Sequence, residues 1–337
     1  MGVNRILRWQ LGLASLFLAA TAPLAAPALE PLRAICLPAL PLSLVAAEKH
    51  GTFADYEIEL RAEVAPGSEA LRSGLAGGSF EVAHALVDNS IALADSGAAD
   101  VLIVMGGEHA LTELIAQPGI HSVDELRGRT LLVDALNTGY ALQLKKILRA
   151  NGLEPGRDCE LKPIGSTPQR LAAMREHKEY AATLLGPPTS ALARREGFVS
   201  LGEAKKWVGT YQGSGVFVRR DWARNYSGLL VRYLAALIQE QRWLLAPAHK
   251  EQVIELLSSD AHLAPGVAAE TYRMMIESGE GYEEDAQLDP EGILTVLRLR
   301  AEIEGKRGGT ATDPARYYDP FLYQLALAKV GAQKTAP

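Results

Sequence analysis

The sequence predicts an α/β fold, and two observations carry that prediction. Between residues 32 and 218, short apolar runs that are typical of strands alternate with stretches of helical periodicity, and Gly or Pro turns separate them. Beyond residue 220 the chain reads almost entirely as helix. Strands that alternate with helices favour parallel sheets covered by helices on both faces.

The first 28 residues have the pattern of a removable export signal. Arg5 and Arg8 precede the apolar segment 11–20, and small residues lead to Ala26-Pro27-Ala28, so we expect cleavage before Leu29. The apolar segment is shorter than the roughly 20 residues that span a bilayer, although an uncleaved N-terminal anchor is the alternative. We therefore expect a periplasmic protein.

Apolar content and alternation predict the strands, most of which end at Gly, Pro or Asp. The predicted strands are Leu32–Leu37, Tyr56–Val64, Phe80–Ala85, Asp100–Met105, Ala110–Ala116, Thr130–Val133, Cys159–Ile164, Ala181–Leu185 and Gly213–Val218.

Capping residues and helical spacing predict the helices. Ser68 and Thr167 are the expected N-caps of two of them, and Asp88-Asn89-Ser90 opens a third. The predicted helices are Leu42–His50, Ser68–Leu75, Ile91–Asp95, Ser122–Leu126, Asn137–Asn151, Pro168–His177, Thr189–Glu196, Asp221–Leu245, Ala248–Ser258, Pro265–Ser278, Pro290–Glu304 and Pro320–Ala328, with a frayed tail over Gly331–Pro337.

Charge and cysteine content narrow the function classes. The net charge of −6 becomes −8 after loss of Arg5 and Arg8, with 32 basic against 40 acidic residues, which argues against nucleic acid as a partner. Cys36 and Cys159 lie at predicted strands in different halves of the chain, so we expect small buried thiols, with a disulfide as the alternative.

In sheets of this kind, ligands bind beyond the carboxyl ends of the strands, so the loops there are the candidate site. Asn137 and Thr138 begin a helix after a buried strand, and Asp88 and Asn89 do so earlier in the chain. Free helix-start amides would favour an anionic ligand group, and Asp88 could accept a hydrogen bond from a ligand amine or hydroxyl. The alternative is that these residues only cap their helices.

Two further loops are expected to cross between domains. Glu108-His109 follows a strand and two glycines, and His109 either titrates in the site or forms a structural pair with an acid. The segment Gly209–Gly215 contains Tyr211, which could stack on a ligand ring, and the alternative is a surface turn. Between these loops in the chain, Gly186-Pro187-Pro188 offers carbonyls and apolar surface rather than N–H donors.

Motifs for covalent or metal catalysis do not occur in the sequence. There is no G-x-S-x-G, no H-E-x-x-H and no C-x-x-C, and no two of the seven histidines lie three or four residues apart. We therefore expect no metal and no cofactor. His84 falls inside a predicted strand and is expected to be a hydrogen-bonded core residue.

Several segments together resemble the periplasmic solute-binding proteins of the nitrate, sulfonate, taurine and thiamine-precursor class. Residues 40–53 resemble the first helix of that family, and residues 74–89 resemble its small-residue helix and the strand that follows. Segments 122–130, 133–140 and 151–158 resemble the inserted second domain. The resemblance spans most of residues 32–220.

The resemblance implies a type II periplasmic-binding-protein fold, with two lobes, two crossover segments and a helical C-terminal part. Residues 29–109 and 214–337 would form lobe 1, and residues 110–213 would form lobe 2. Carried onto this chain, the cleft residues would be Leu40, Asp88, Asn89, Glu108, His109, Asn137, Thr138, Pro187 and Tyr211.

The function implied is capture of a small organic solute by hinge closure, without catalysis, by a monomer that delivers the solute to an ABC permease. Asp88 and Glu108 depart from what a nitrate or simple sulfonate site needs, and they favour a ligand that carries hydrogen-bond donors. The alternatives are an enzyme on the same fold, similar to thiamine-pyrimidine synthases and requiring iron, and a periplasmic sensor.

Overall fold

The computed structural model describes residues 28–260, 262–304 and 313–333. The predicted export signal and its cleavage point before Leu29 fall almost wholly on residues 1–27, which lie outside the described residues, as do residues 334–337 of the predicted tail. Within the described ranges, no helix combines the length and apolarity needed to cross a membrane.

The strands form two five-stranded sheets. The first sheet has the order β2-β1-β3-β10-β4 and the second the order β7-β6-β8-β5-β9. The strands are β1 (Glu30–Cys36), β2 (Ile58–Val64), β3 (Val82–Leu86), β4 (Val101–Met105), β5 (Glu113–Ala116), β6 (Thr130–Val133), β7 (Glu160–Pro163), β8 (Tyr180–Leu185), β9 (Val199–Glu203) and β10 (Ser214–Arg219).

The α/β class is confirmed, but the sheets are mixed rather than parallel. Strands β1, β2 and β3 are parallel, as are β6, β7 and β8, whereas β10 runs antiparallel to β3 and β4, and β5 antiparallel to β8 and β9. Both reversed strands come directly after the chain has passed from one sheet to the other. A chain that arrives from the neighbouring sheet enters at the end where the parallel strands finish, so it must run in the opposite direction.

Fourteen α-helices lie in the described residues. They are α1 (Leu42–His50), α2 (Thr52–Asp55), α3 (Ser68–Ala76), α4 (Asp88–Asp95), α5 (Gly139–Ala150), α6 (Thr167–Glu176), α7 (Thr189–Arg195), α8 (Lys205–Val208), α9 (Arg220–Asn225), α10 (Ser227–Leu245), α11 (Lys250–Ser259), α12 (Pro265–Tyr272), α13 (Pro290–Glu304) and α14 (Phe321–Gln333). Short 3₁₀ turns cover Asp124–Leu126, Pro247–His249 and Pro314–Arg316, and a π turn covers Arg273–Glu277.

Several predicted boundaries were wrong. The expected helix 221–245 is two helices that break at Tyr226, which has φ −124° and ψ 34°. Helix 122–126 is only a 3₁₀ turn, helix 265–278 changes to a π turn after Tyr272, and residues 331–333 are helical rather than frayed. Strand β9 was missed: it is a half-exposed edge strand containing Gly202, so it lacks a clear apolar alternation.

Three expected N-caps are also displaced by one residue. The N-caps are Gly67, Thr138 and Ser166 rather than Ser68, Asn137 and Thr167. Ser166 forms a capping box with Gln169. Ser68 instead donates through Oγ to Asp134 Oδ2 at 3.1 Å, so it links the first sheet's helices to the second sheet.

Each sheet contributes to separate hydrophobic clusters, and one of these clusters contains residues from both halves of the molecule. Helix α10 packs against the first sheet through a fully buried row that includes Tyr233 and Leu234. Leu142 of α5 shares a core with Val296 and Leu297 of α13, so the C-terminal helix α13 packs on an element of the second sheet. Cys36 and Cys159 are buried and unpaired, as expected.

Candidate functional site

A cavity of about 530 Å³ lies between the two sheets, at the ends of β1, β3, β4 and β8. Its walls come from both halves of the molecule. The first side consists of residues 37–43, Val45, His84, Leu86 and the segment 105–112, and the second side consists of Tyr140, the start of α6 and the segment 186–189. The cavity therefore lies where the sequence predicted a site, at loops that follow the strands.

The lining of this cavity is mainly aliphatic. Leu37, Leu40, Leu86, Met105 and Leu111 come from the first half and the crossing, and further apolar contacts come from Leu171, Pro187, Pro188, Leu192, Leu257, Leu263 and Met275. The cavity has the size and the apolar character usual for sites that enclose an organic molecule.

Glu108 is the acidic group that the first crossing places in the cavity wall. Its Oε1 accepts a hydrogen bond from Ser214 Oγ at 2.9 Å, and within the described residues it forms no ion pair. Burial raises the pKa of Glu108, and the Ser214 bond and the nearby His109 only partly oppose this effect. Glu108 is therefore a half-buried acceptor that lacks a lysine or arginine partner within the described residues.

His109 also lines the cavity, but acidic side chains on the C-terminal segment hold it. Its Nε2 lies 2.7 Å from Glu283 Oε1, and its Nδ1 lies 3.8 Å from Asp289 Oδ2. The sequence left open whether His109 titrates in the site or forms a structural pair with an acid. The structure shows a pair between His109 and Glu283, and not with the neighbouring Glu108.

The two crossings lie side by side and are joined through their backbones. Gly213 N donates to Glu108 O at 2.9 Å, and Ala110 N donates to Tyr211 O at 3.0 Å. A Cβ at position 213 would lie 2.6 Å from Glu108 O, so this approach requires glycine. A third segment joins them, because His109 N donates to Gly281 O at 2.8 Å. These three segments, 107–110, 211–214 and 281–282, are called the hinge ribbon below.

Asp88 does not reach the cavity. It is fully buried, and its Oδ2 accepts a 2.5 Å hydrogen bond from the backbone N–H of Gly139, the first residue of α5. Arg300 Nη1 lies 3.9 Å from the same oxygen. The helix start that could have received a ligand anion is thus occupied by a carboxylate of the chain itself.

Tyr211 is buried beside Asp88 and does not line the cavity. A Cβ at Gly139 would lie 2.9 Å from Tyr211 Oη and 2.6 Å from Asp88 Oδ1, so the three groups converge. Tyr211 Oη and Asp88 Oδ1 are buried and have no hydrogen-bond partner among the described residues. The backbone of Tyr211 is part of the hinge ribbon, but its ring packs in the core and does not face the cavity. It is therefore not placed to stack on a ligand there.

Asn137 is exposed, and its Oδ1 accepts a hydrogen bond from Arg72 at 3.4 Å. Thr138 and Asn89 instead line a small polar cavity of about 20 Å³, together with Asp134, Tyr140 and Arg170. That volume suits one water molecule. Thr138 Oγ1 donates to Asp134, and Asn89 Oδ1 is buried without a partner in the described part of the chain.

Of the nine residues expected in the cleft, four line the main cavity: Leu40, Glu108, His109 and Pro187. Asn89 and Thr138 border the small polar cavity, and Asp88, Asn137 and Tyr211 border neither. The sequence missed Tyr140, Thr271 and Met275. Tyr140 follows the flagged Asn137-Thr138 pair, whereas no sequence signal connects the C-terminal Thr271 and Met275 to a cleft.

His84 is a core residue, as expected, and also borders the cavity. Its Nε2 lies 2.6 Å from Tyr233 Oη, and burial lowers the pKa of His84 to about 3. The imidazole is therefore neutral at physiological pH. Within residues 28–260, 262–304 and 313–333, no cluster of three His, Cys, Asp or Glu residues could hold a metal ion.

No protein-family model matches the sequence. Among curated proteins, the bicarbonate transport ATP-binding protein CmpC of Synechococcus elongatus is 26% identical over 170 residues, which is 47% of this chain. The chain spans about a quarter of that relative's length, since the match covers 25% of it.

Solved structures match over nearly the whole chain. The periplasmic nitrate-binding protein NrtA of Synechocystis has a TM-score of 0.73 and 13% identity, with 91% of this chain and 90% of that one covered. The ligand-binding component of an ABC-type import system from Staphylococcus aureus, solved with zinc bound, has a TM-score of 0.73 and 15% identity, covering 88% and 99%.

The alkanesulfonate-binding protein SsuA of Xanthomonas axonopodis, bound to MOPS, has a TM-score of 0.66 and 19% identity, covering 84% of this chain and 93% of that one. At these identities the matches establish the fold. The two-lobed α/β fold of periplasmic binding proteins, with a helical C-terminal part, is therefore confirmed.

Proposed function

We propose that this chain is the solute receptor of an ABC-type importer and that it captures a small organic molecule in the interlobe cavity without altering it. The observation that carries the proposal is the cavity itself, which both sheets enclose and which the hinge ribbon closes on one side. The fold shared with nitrate- and sulfonate-binding proteins supports the same role.

In this proposal the ligand contacts Leu40, Glu108, His109 and Pro187, which line the cavity. Asn89 and Thr138 act through the small polar cavity, and Asp88, Asn137 and Tyr211 support the hinge region. Lobe 1 comprises residues 29–109 and 214–337 and lobe 2 comprises residues 110–213, although α12 and α13 contact both sheets' helices. A cleavable signal, a periplasmic location, a monomeric state and delivery to a permease belong to the same proposal.

Native mass spectrometry of the full chain, purified from the periplasm of its own host, tests the role. We expect a fraction of the protein to carry an organic solute that is released unchanged on denaturation. A ligand present at about 100 times its Kd adds roughly 2.7 kcal/mol to stability, so the unfolding temperature should fall after the solute is removed and recover when it is returned.

Three results would contradict the proposal. Turnover of the solute during incubation, or one tightly held iron per chain, would favour the enzyme. A solute that binds while the adjacent permease shows no transport would favour a sensor.

A further inference from the structure

We propose that the cavity is built for a ring-sized, mainly apolar molecule that carries a protonated amine or comparable N–H donor, with Glu108 as the group that accepts it. The proposal rests on the receptor role proposed above and adds the chemical class of the ligand. It differs from the bicarbonate, nitrate and alkanesulfonate that the names of three matched proteins print.

The size and composition of the cavity argue against a bare inorganic anion as the natural occupant. A volume of about 530 Å³ lined by leucine, proline and methionine side chains would remain mostly empty around a small ion. Apolar walls contribute affinity only when they cover apolar ligand surface, at about 25 cal/mol per Å². The occupant must therefore present a hydrocarbon or aromatic body.

The positive groups near the cavity are already committed. Arg175 lines the wall, but its guanidinium binds both carboxylate oxygens of Glu196 at 2.6 and 2.7 Å. His84 is neutral, as shown above. Among the described lining residues there is no lysine, so a ligand anion would find no free cation there.

Arg170 borders only the small cavity, and protein oxygens hold its donors. They reach Gly165 O at 2.6 Å, Leu184 O at 2.9 Å and Thr183 Oγ1 at 3.0 Å. The start of α5 is likewise taken, by Asp88. Protein oxygens therefore already occupy the donors of Arg170 and the start of α5.

The negative groups show the reverse pattern. Asp260 lines the cavity but is neutralised by Lys49 Nζ at 2.8 Å. Glu108 has only the Ser214 hydroxyl and a histidine that Glu283 already holds. A half-buried carboxylate without a cation is partly desolvated, and a ligand ammonium would offset that cost while forming a charge-assisted hydrogen bond.

Thr271 is a second polar group in the cavity wall. It is fully buried, and its Oγ1 has no hydrogen-bond partner among the described residues. It lies on α12, so a ligand that reaches both groups would be bound by Thr271 as well as by Glu108.

The test uses the full chain, stripped of any bound solute, and three matched probes of one size: 2-phenylethylamine, 2-phenylethanol and phenylacetate. Calorimetric titration and thermal unfolding would be run at pH 7 with each probe. We expect the amine to bind at least tenfold more tightly than the carboxylate, with the alcohol between them.

Two variants locate the effect. Glu108→Gln keeps an acceptor for Ser214 and should remove the tenfold preference for the amine. Asp260→Asn changes a lining carboxylate that is already paired, and it should keep that preference. Unfolding of each variant without a probe reports whether it is folded.

Four outcomes would overturn the ligand class: tighter binding of phenylacetate, no binding of any of the three probes, an amine preference that survives in Glu108→Gln, or equal loss of that preference in both variants. If native mass spectrometry still shows a captured solute, the receptor role stands and only the ligand class fails. If no solute is captured either, both fail.

Discussion

The carboxylate of Asp88 and the backbone N–H of Gly139 join the two sheets through a 2.5 Å hydrogen bond that is closed to solvent. Asp88 begins α4 on the first sheet and Gly139 begins α5 on the second. A side chain predicted to face a ligand therefore fixes the position of one half of the molecule against the other.

The raised pKa of Asp88 predicts that the stability of the fold depends on pH. Burial raises its pKa from 3.8 to about 7, and Arg300 only partly opposes this effect. A carboxyl with a raised folded-state pKa stabilises the fold below its unfolded pKa, and that contribution is lost as the pH rises from about 4 to about 7. We expect Asp88→Asn to remove this dependence.

Urea unfolding at pH 4 to 8 checks the prediction. The unfolding free energy of Asp88→Asn minus that of the wild type should rise between pH 4 and 7, by an amount on the order of a few kcal/mol, and stay level above pH 7. A difference that does not change with pH would show that Asp88 titrates at its ordinary value.

The close packing around Gly213 predicts that a side chain at this position would destabilise the fold. An added Cβ would lie 2.6 Å from Glu108 O and 2.8 Å from Ala110 N, both backbone atoms, so Gly213→Ala must push the crossings apart. We expect a loss of about 1–3 kcal/mol in thermal unfolding. Gly228→Ala is the control, since nothing lies within 4 Å of its added Cβ, and equal behaviour of the two variants would refute the prediction.

The buried hydrogen bond between His84 and Tyr233 predicts that removing the Tyr233 hydroxyl would lower the stability of the fold. Tyr233→Phe keeps the ring that stacks on Phe53 at 5.6 Å, but it deprives His84 Nε2 of its partner. The expected loss in chemical unfolding is about 1–3 kcal/mol. The exposed Tyr226 serves as control, and Tyr226→Phe should change stability by less than about 0.5 kcal/mol. A neutral Tyr233→Phe would mean that another donor reaches His84.

Arg194 links the C-terminal helix α12 to the second sheet, so its loss should destabilise the protein. Its guanidinium bonds Glu113, which is buried in β5, and Glu270 of α12 at 2.6 Å. Arg194→Met would leave the Glu113 carboxylate in the sheet with only Ser200 as a donor, at 3.0 Å. Because Arg194 is partly exposed, we expect a loss of about 2 kcal/mol rather than the full cost of a broken buried pair.

Arg195→Met is the matched control for Arg194, because Arg195 is half-exposed and lies 4.0 Å from Glu270. It should change the unfolding free energy by less than about 0.5 kcal/mol. If Glu113→Gln combined with Arg194→Met does not recover part of the loss, the uncompensated carboxylate is not its cause.

The sequence predicted the bounds of helices and strands correctly where an apolar segment ends at a clear turn residue. Helix α1 spans the predicted Leu42–His50 and ends at Gly51, whose φ of 75° favours glycine. Strand β6 spans the predicted Thr130–Val133. In both cases the apolar content and the neighbouring turn residues agree, so local sequence was enough to place the element.

The site was predicted less completely because its membership depends on which loops meet. Glu108 and Pro187 follow strands whose ends face the cavity, so the topological argument reached them. Tyr211 was predicted because its loop was expected to cross between domains, yet its ring packs in the core beneath α13. No sequence pattern reports that a helix 80 residues further along covers it.

The hinge ribbon has a mechanical consequence. A single strand linking two bodies can swivel about its own bonds, whereas three backbone segments bonded edge to edge resist torsion and bend most easily across their width. If the proposed receptor closes on a solute, the ribbon favours opening and closing of the gap over rotation of one half past the other. The same two surfaces would then meet the solute at every closure.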